Sequence, residues 1–173
     1  ETTCLPEATA LTTASLTPRL AELSGALVSV VIPNFNGRHH LERCLPALRA
    51  TTGAAIEVIV VDNGSADASV EWLAATHPEV RVIALARNLG FGEANRRGVA
   101  GAKGTHVAFL NSDTEVEPGW LTPLLRAINA EPDIAATCAT LRLLDRPELV
   151  NARGGGMTKL GYGFDHEFLF PWQ

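Results

Sequence analysis

Cysteine and positive charge are both scarce in this 173-residue chain, and each shortage excludes a class of protein. The three cysteines, Cys4, Cys44 and Cys138, are odd in number and lie far apart without CxxC spacing. This pattern argues against a disulfide framework, a zinc site or a redox motif, so we expect reduced thiols. The 14 Lys and Arg residues against 19 Asp and Glu give a net charge of −5. Binding of duplex nucleic acid through its phosphates is therefore not expected.

Long apolar runs are also missing. The longest run, Ala26 to Pro33, falls well short of the roughly 18–20 residues that cross a bilayer, and it fits a buried strand. The first residues, Glu-Thr-Thr-Cys, lack the positive charge that opens a signal peptide. We expect a cytoplasmic protein without a transmembrane segment, with peripheral attachment at the inner face of the membrane left open.

The chain does contain a repeated order of apolar β-branched runs, turns and helical stretches, and its 46% hydrophobic residues suffice for a core. Helical spacing is found over 41–48, 70–73, 92–102 and 121–128, with Pro118 or Pro123 in the first turn of the last helix, and a further helix is favoured over Pro18–Ser24. Buried strands are predicted for Leu27–Ile32, Ile56–Val61, Val80–Leu85, His106–Leu110 and Ile134–Leu141. This alternation predicts an α/β fold, a mostly parallel sheet with helices on both faces.

The composition divides the chain into three parts. Residues 1–26, rich in Thr and Ala, are expected to be a lead-in, and residues 27–150 hold the α/β domain. Residues 151–173 are rich in glycine and aromatic residues, with rings at Phe164, Phe168, Phe170 and Trp172. Because so many apolar rings are costly to expose, we expect this last part to be covered by further chain or to favour self-association.

Polar segments follow four of the predicted strands. They are Pro33-Asn34-Phe35-Asn36-Gly37, Asp62-Asn63-Gly64-Ser65, Arg87-Asn88-Leu89-Gly90 and Asn111-Ser112-Asp113-Thr114. In open parallel sheets ligands bind at the carboxyl ends of the strands, so the four segments should converge on one ligand site. Asp62 can accept hydrogen bonds from a base or sugar, and Arg87 can meet negative charge. Asp113 has the chemistry of a ligand for Mg²⁺ or Mn²⁺.

Each segment alone also fits a structural explanation. Asn63-Gly64 can be a tight turn, with Ser65 or Asp67 capping the next helix. The repetition at four strand ends favours a ligand site instead.

Several other motifs are absent or incomplete. A GxGxxG pattern beginning at Gly90 fails at Asn95, and the chain has neither a GKS or GKT P-loop nor a GxSxG elbow. His39 and His40 are expected to face solvent, and His166 remains a candidate for a metal or acceptor site.

Four ordered motifs together resemble the family 2 glycosyltransferases of GT-A fold, and within them the rhamnosyltransferase-like and galactofuranosyltransferase-like bacterial members. The motifs are Val28–Asn36, Val58–Ser65, Arg87–Gly92 with Asn95, and Phe109–Thr114 followed by Pro118-Gly119-Trp120. The resemblance covers roughly Leu27 to Pro132, with a weaker match over Gly154–Asp165.

The resemblance implies an inverting transfer of a sugar from a nucleoside diphosphate sugar, of UDP or dTDP type, to a saccharide or lipid-linked acceptor hydroxyl in bacterial cell-wall or polysaccharide synthesis. It implies help from Mg²⁺ or Mn²⁺ held by Asp113. Asn111-Ser112-Asp113 stands where the family has its DxD motif, with Asn111 replacing the first Asp. The implied donor-binding residues are Pro33, Asn34, Phe35, Asn36, Asp62, Asn63, Arg87, Asn88, Gly90, Asn95, Asn111 and Ser112.

The general base that the resemblance requires is not assigned. In the family it lies well downstream of the metal motif, and Asp165 and Glu167 do not match that segment. We therefore expect this chain to be the donor-binding portion, able to bind donor but unable to transfer sugar by itself. The alternatives are a non-catalytic nucleotide-sugar-binding module and a nucleotidyltransferase, for which Pro33–Arg38 is a poor triphosphate loop.

Overall fold

The computed structural model describes residues 26–157, 163–165 and 167–172. The helix expected over Pro18–Ser24, Cys4, His166 and nearly all of the lead-in lie outside the described residues. The helices are α1 Arg38–Arg49, α2 Ser69–Thr76, α3 Phe91–Gly101 and α4 Leu121–Ile128. The strands are β1 Leu27–Asn34, β2 Ala55–Asp62, β3 Arg81–Ala84, β4 His106–Phe109, β5 Thr140–Arg142, β6 Val150–Arg153, β7 Gly155–Met157 and β8 Gly163–Asp165.

The main sheet has four parallel strands in the order β3-β2-β1-β4. Strands β1 and β2 pair in register from Leu27 opposite Ala55 to Asn34 opposite Asp62. Because the two strands end at the same level, the polar residues that close them stand side by side. Two short antiparallel pairs, β5 with β6 and β7 with β8, complete the strands of the described chain.

Helices cover both faces of this sheet, as the sequence predicts. On one face α1, α2 and α4 pack against Val28, Val30 and Ile32 of β1. On the other face α3 packs against Val31 of β1 and Ile59 and Val61 of β2. Burial on both faces explains why these two strands are almost continuously apolar.

A glycine brings α3 close to the sheet. A Cβ on Gly98 would lie 2.2 Å from Val31 Cγ1 and 3.2 Å from Val61 Cγ2, so a side chain here would force the helix away. At Gly98 the loss of helix propensity is therefore matched by close packing, as expected from the sequence, whereas Gly92 has no atom within 4 Å of its Cβ position.

Two expectations about the strands are wrong. The outer strands β3 and β4 are only half-buried, and Phe109 of β4 is 60% exposed, because each has a neighbour on one side only within the described chain. The predicted buried strand Ile134–Leu141 is absent: 134–139 have no regular structure, and only Thr140–Arg142 form a strand, antiparallel to β6. The small alanines of this segment offer little apolar area to bury.

The helices agree more closely with expectation. Helix α1 buries Leu41, Cys44, Leu45 and Leu48, the predicted stripe. Helix α4 begins at Leu121, so Pro123 lies in its first turn, where a proline is tolerated. No helix within the described ranges is long and apolar enough to span a bilayer.

The glycine- and aromatic-rich part is only partly described. Residues 167–172 run beside the start of β6, where Val150 donates its N–H to Phe170 O at 2.8 Å and accepts from Leu169 N at 2.8 Å. Phe168, Phe170 and Trp172 remain largely exposed, whereas the Phe164 side chain lies outside the description. The expected apolar surface is present at these three positions, and self-association through it stays a prediction.

Candidate functional site

The carboxyl ends of β1 and β2 are joined by a buried amide and a buried carboxylate. Asn34 is 1% exposed and donates from Nδ2 to Asp62 Oδ1 at 3.0 Å, to Ser69 Oγ at 3.1 Å and to Ser65 Oγ at 3.3 Å. The second oxygen of Asp62 accepts from Ser65 N at 2.9 Å. Asn34 Oδ1 is buried without a partner among the described residues. The site therefore contains one acceptor that the surrounding chain does not use.

The turn after β1 is held against the turn after β2. Asn36 has a φ of 51°, a left-handed conformation in which asparagine is enriched. Its N–H donates to Ser65 Oγ at 2.9 Å, and its side-chain oxygen accepts from Ala66 N at 2.8 Å. Asn36 thus holds the two turns together.

A second amide network joins the end of β2 to the segment after β3. Asn63 accepts from Leu89 N at 2.8 Å and donates to Asn88 Oδ1 at 2.9 Å and to Gly90 O at 3.3 Å. Gly64, with φ of 79°, lets the turn approach this segment, since a Cβ there would lie 2.7 Å from Arg87 Cα. The chain bends at Gly64, and this bend brings the second and third polar segments together.

These segments enclose a pocket of about 280 Å³ that opens to solvent. Two phenylalanines line it and keep much of their surface exposed, Phe35 at 50% and Phe91 at 63%. Exposed rings beside amide groups suit a planar, partly polar ligand. The lining residues are Pro33, Asn34, Phe35, Asn63, Asn88, Gly90 and Phe91.

Phe91 was not singled out from the sequence. Its only signal there is its position directly after a glycine at the expected start of a helix. Arg87, Asn36 and Asn95 are predicted site residues that do not line this pocket. Asn95 donates to Phe91 O at 3.1 Å, and its Oδ1 is a second buried acceptor without a partner among the described residues.

The fourth polar segment reaches the first through Ser112. The position of a Cβ on Gly37 lies 2.6 Å from Asn34 Oδ1 and 3.3 Å from Ser112 Oγ, so these groups meet around a glycine. Asp113, however, lines a separate cleft of about 170 Å³ rather than the first pocket. The single convergent site expected from the sequence is therefore two openings, with Gly37 and Ser112 at the contact between the first and fourth segments.

The cleft of Asp113 also contains residues that sequence reasoning did not place in the site. Arg43 of α1 forms an ion pair with Glu115 at 2.6 Å, and Asp145 enters from the turn between β5 and β6. His40, exposed as expected, lines the same cleft together with Leu144. The turn-forming composition around Asp145 gives no sign of this placement.

Asp113 and Glu115 lie close to α1, since they line one cleft with His40 and Arg43 of that helix. Burial raises the pKa of the Cys44 thiol to about 12, and the negative charges of Asp113 and Glu115 add to the rise. Cys44 and the exposed Cys138 are free thiols in the described part of the chain. A thiol with so high a pKa is a poor nucleophile, so Cys44 serves packing rather than chemistry.

Asp67 ties the starts of two helices together beside the pocket. One of its oxygens accepts from Arg38 N at 2.9 Å at the start of α1, and the other from Ser69 N at 3.1 Å at the start of α2. Burial alone would raise the pKa of Asp67, but hydrogen bonds from Ser69 and from backbone N–H groups outweigh it and lower the pKa. Asp67 is not the N-cap residue expected for α2, which is Ala68, but it accepts from the first N–H group of each of the two helices.

Comparison with known proteins identifies the family. The family model described as Glycosyl transferase family 2 matches residues 29–161, more than half of the chain. The chain belongs to glycosyltransferase family 2.

Two curated relatives illustrate the similarity. The uncharacterized glycosyltransferase YibD of Escherichia coli K12 is 36% identical over 112 residues, which cover 62% of this chain and 32% of YibD. The succinoglycan biosynthesis protein ExoO of Rhizobium meliloti is 38% identical over 104 residues, 60% of this chain and 30% of ExoO. This family 2 chain thus spans about a third of the length of these relatives.

A solved structure supports the fold. TarS residues 1–349 from Staphylococcus aureus, in complex with UDP-GlcNAc, superpose with a TM-score of 0.54 at 24% identity, covering 60% of this chain and 31% of the TarS chain. The expected GT-A type of mostly parallel sheet with helices on both faces is confirmed. Membership of a rhamnosyltransferase-like subgroup stays a prediction.

Proposed function

We propose that this chain forms the donor-binding portion of a glycosyltransferase that moves a sugar from a nucleoside diphosphate sugar to an acceptor hydroxyl. The observation that carries the proposal is the pocket between Phe35 and Phe91, whose first segment contacts the segment of Asp113 through Gly37 and Ser112. The pocket suits a base, and the neighbouring carboxylate of Asp113 suits a divalent cation that would meet the negatively charged diphosphate of the same ligand. TarS has been solved with UDP and with UDP-GlcNAc, which supports this class of ligand.

The residues have separate tasks in this proposal. Phe35 and Phe91 flank the base, while Asp62 and Asn34 fix the turn on which Phe35 stands. In the transfer step the acceptor oxygen bonds to the anomeric carbon as the bond from that carbon to the diphosphate oxygen breaks. The diphosphate leaves with the electron pair, and the acceptor proton passes to a base. Attack opposite the leaving group inverts the configuration.

The residues around Asp113 fit a divalent cation that is coordinated partly by the protein and partly by oxygen atoms of the bound ligand. Asp113 and Asp145 line one cleft, and carboxylate oxygens are what Mg²⁺ and Mn²⁺ prefer, with substrate oxygens completing the coordination. Within the described part of the chain no group of three or more His, Cys, Asp or Glu side chains could hold an ion alone. When bound, the ion would supply charge neutralisation at the leaving diphosphate.

No described carboxylate is assigned as the general base. Glu167 forms an ion pair with Arg153 at 2.9 Å, which engages one of the two candidates considered from the sequence. The other, Asp165, has a side chain outside the described residues. Inability of this chain to transfer sugar by itself therefore stays a prediction, as does the alternative of a non-catalytic binding module.

A nucleotidyltransferase is disfavoured by the loop after β1. A triphosphate loop needs free backbone N–H groups, but Asn36 N is occupied by Ser65 Oγ and Arg38 N by Asp67 Oδ2. Saccharide or lipid-linked acceptors in polysaccharide synthesis remain our proposal, supported by relatives named for succinoglycan biosynthesis and as a chondroitin synthase. The cytoplasmic location also stays a proposal.

Calorimetry with UDP, dTDP and GDP, with and without Mn²⁺, tests the proposed function. We expect binding that Mn²⁺ tightens by about tenfold or more, and Asp113→Ala should remove the gain from Mn²⁺ while leaving the metal-free affinity. Asp133→Ala, an exposed carboxylate that lines neither opening, is the matched control. A folded chain that binds none of the three nucleotides at millimolar concentration would contradict the proposal.

A further inference from the structure

We propose that Asn63 is a positioning residue that does not contact the nucleotide but fixes the side-chain amide of Asn88. Asn88 then presents its N–H groups to the base and so selects a base with a carbonyl group over one with an amino group. This inference rests on the proposed function, because it names the base chemistry that the same pocket accepts. It also changes the role of Asn63, which the sequence placed among the donor-binding residues.

The orientation of the Asn63 amide is set by the backbone. Leu89 N can only donate, and it donates to Asn63 at 2.8 Å, so the side-chain atom facing it must be the oxygen. The Asn63 NH₂ group is then directed to Asn88 Oδ1 at 2.9 Å and Gly90 O at 3.3 Å. Both N–H groups of a side chain only 4% exposed are therefore used within the protein.

The orientation of the Asn88 amide is set twice. Its Oδ1 accepts from Asn63 Nδ2, and independently from Gly90 N at 2.8 Å. Rotating the amide by about 180° would place its NH₂ group against the two donors, Asn63 Nδ2 and Gly90 N. Both hydrogen bonds would be lost, and the facing N–H groups would repel each other. Its Nδ2 has no partner among the described residues, and Asn88 lines the pocket between Phe35 and Phe91. The part of this side chain left for a ligand is a donor.

A fixed donor distinguishes bases by the group they present. The 4-position of uracil carries a carbonyl oxygen, which accepts a hydrogen bond, whereas cytosine carries an amino group, which only donates. Asn63 and Asn88 together would therefore favour UDP over CDP. A site that leaves a polar group unpaired against the wrong ligand discriminates more strongly than a merely apolar pocket.

The test is the ratio of the UDP and CDP dissociation constants, measured by calorimetry on the full 173-residue chain and its variants. We expect the wild type to bind UDP about tenfold more tightly than CDP. Asn88→Asp, on the protein surface, should bring the ratio to one or below, because a carboxylate offers only acceptors. Asn63→Asp should also bring the ratio close to one, because its carboxylate opposes Asn88 Oδ1 and favours the turned amide.

A merely structural role for Asn63 predicts a different result, equal loss of affinity for both nucleotides with the ratio unchanged. That result, or a wild-type ratio near one, would overturn the inference. Asn151→Asp, the same change in β6, is the control and should keep the wild-type ratio. Thermal melting establishes that each variant is folded. Failure of every nucleoside diphosphate to bind the wild type would instead overturn the proposed function, so the two failures are distinguishable.

Discussion

Polar clusters lie at the amino ends and at the carboxyl ends of the strands of the main sheet, which we call the amino edge and the carboxyl edge. The two clusters have similar chemistry but differ in whether their hydrogen-bonding groups all have partners. At the amino edge the Glu57 carboxylate of β2 accepts from Ser29 Oγ, from Lys103 N and, at 3.2 Å, from Gly104 N, and Gly104 N also donates to Ser29 Oγ at 2.8 Å. At the carboxyl edge Asn34 Oδ1 and the Asn88 NH₂ group have no partner among the described residues. One cluster is closed, and the other keeps hydrogen-bonding capacity beside a pocket.

Backbone packing agrees with this difference. A Cβ on Gly104 would lie 2.6 Å from Leu27 O and 2.7 Å from Ser29 N, so the loop before β4 is pressed against β1. Gly90, at the pocket, has nothing within 4 Å of its Cβ position. A closed cluster can contribute only to stability, whereas an open one can also bind. Substitutions at the two edges should therefore separate stability from nucleotide affinity.

The largest effect is expected for Asp62→Ala at the carboxyl edge. Asp62 is buried, and removing it takes away the acceptor of Ser65 N and one of the acceptors of Asn34 Nδ2, at a cost of about 2–4 kcal/mol in the free energy of unfolding. The turn that carries Phe35 should then lose its place, lowering UDP affinity about 100-fold both with and without Mn²⁺. Urea denaturation and calorimetry measure the two effects.

Asp133→Ala serves again as the control for loss of a carboxylate. An Asp62→Ala variant that keeps wild-type affinity without metal would show that the carboxyl edge does not organise the pocket. Loss of affinity only when Mn²⁺ is present would mean that Asp62, and not only Asp113, acts through the ion.

The two edges also differ in how much of their structure could be predicted from the sequence. Apolar runs predict β1 and β2 because both faces of these strands are buried, and they fail for Ile134–Leu141, whose alanines offer little apolar area to bury. The residue types at the strand ends predict a polar site. They do not show which hydrogen bonds remain inside the protein, so the sequence could not separate Asn63, which is fully engaged, from Asn88.

Contacts between turns that lie far apart in the sequence could not be predicted either. Asp145 reaches the cleft of Asp113 only because the turn between β5 and β6 folds back toward α1. Glu57, in the middle of an apolar run, was not singled out, although a single carboxylate there already suggests a buried partner. In both cases the missing information is which loop lies opposite the side chain.

A smaller effect, confined to stability, is expected for Glu57→Gln at the amino edge. The three donors, from Ser29, Lys103 and Gly104, all meet the same oxygen of Glu57, so the amide oxygen of the variant can still accept from them, but the negative charge that strengthens these hydrogen bonds is lost. We expect the free energy of unfolding to fall by about 1–2 kcal/mol and the UDP dissociation constant to stay within about twofold. A large loss of affinity in a folded Glu57→Gln protein would remove the proposed separation of the edges.

The smallest effect is the pH dependence of that same stability difference. The hydrogen bond from Ser29 lowers the pKa of Glu57, and the backbone N–H groups of Lys103 and Gly104 lower it further despite the opposing effect of burial. Because the folded-state pKa lies below the unfolded value of about 4.3, the charged carboxylate stabilises the fold above that value, and this contribution is lost as the pH falls through the folded-state pKa. The difference in free energy of unfolding between wild type and Glu57→Gln should therefore be constant from about pH 7 to pH 5 and shrink below about pH 4. Urea denaturation of both proteins at the same series of pH values measures this difference. Subtraction cancels the contribution of Glu93, which is present in both proteins and whose pKa is lowered to about 2 by hydrogen bonds from Arg96 and Arg97. A difference that grows on acidification would mean that Glu57 binds its proton more readily in the folded protein, and the amino edge would then be no closed cluster around a carboxylate.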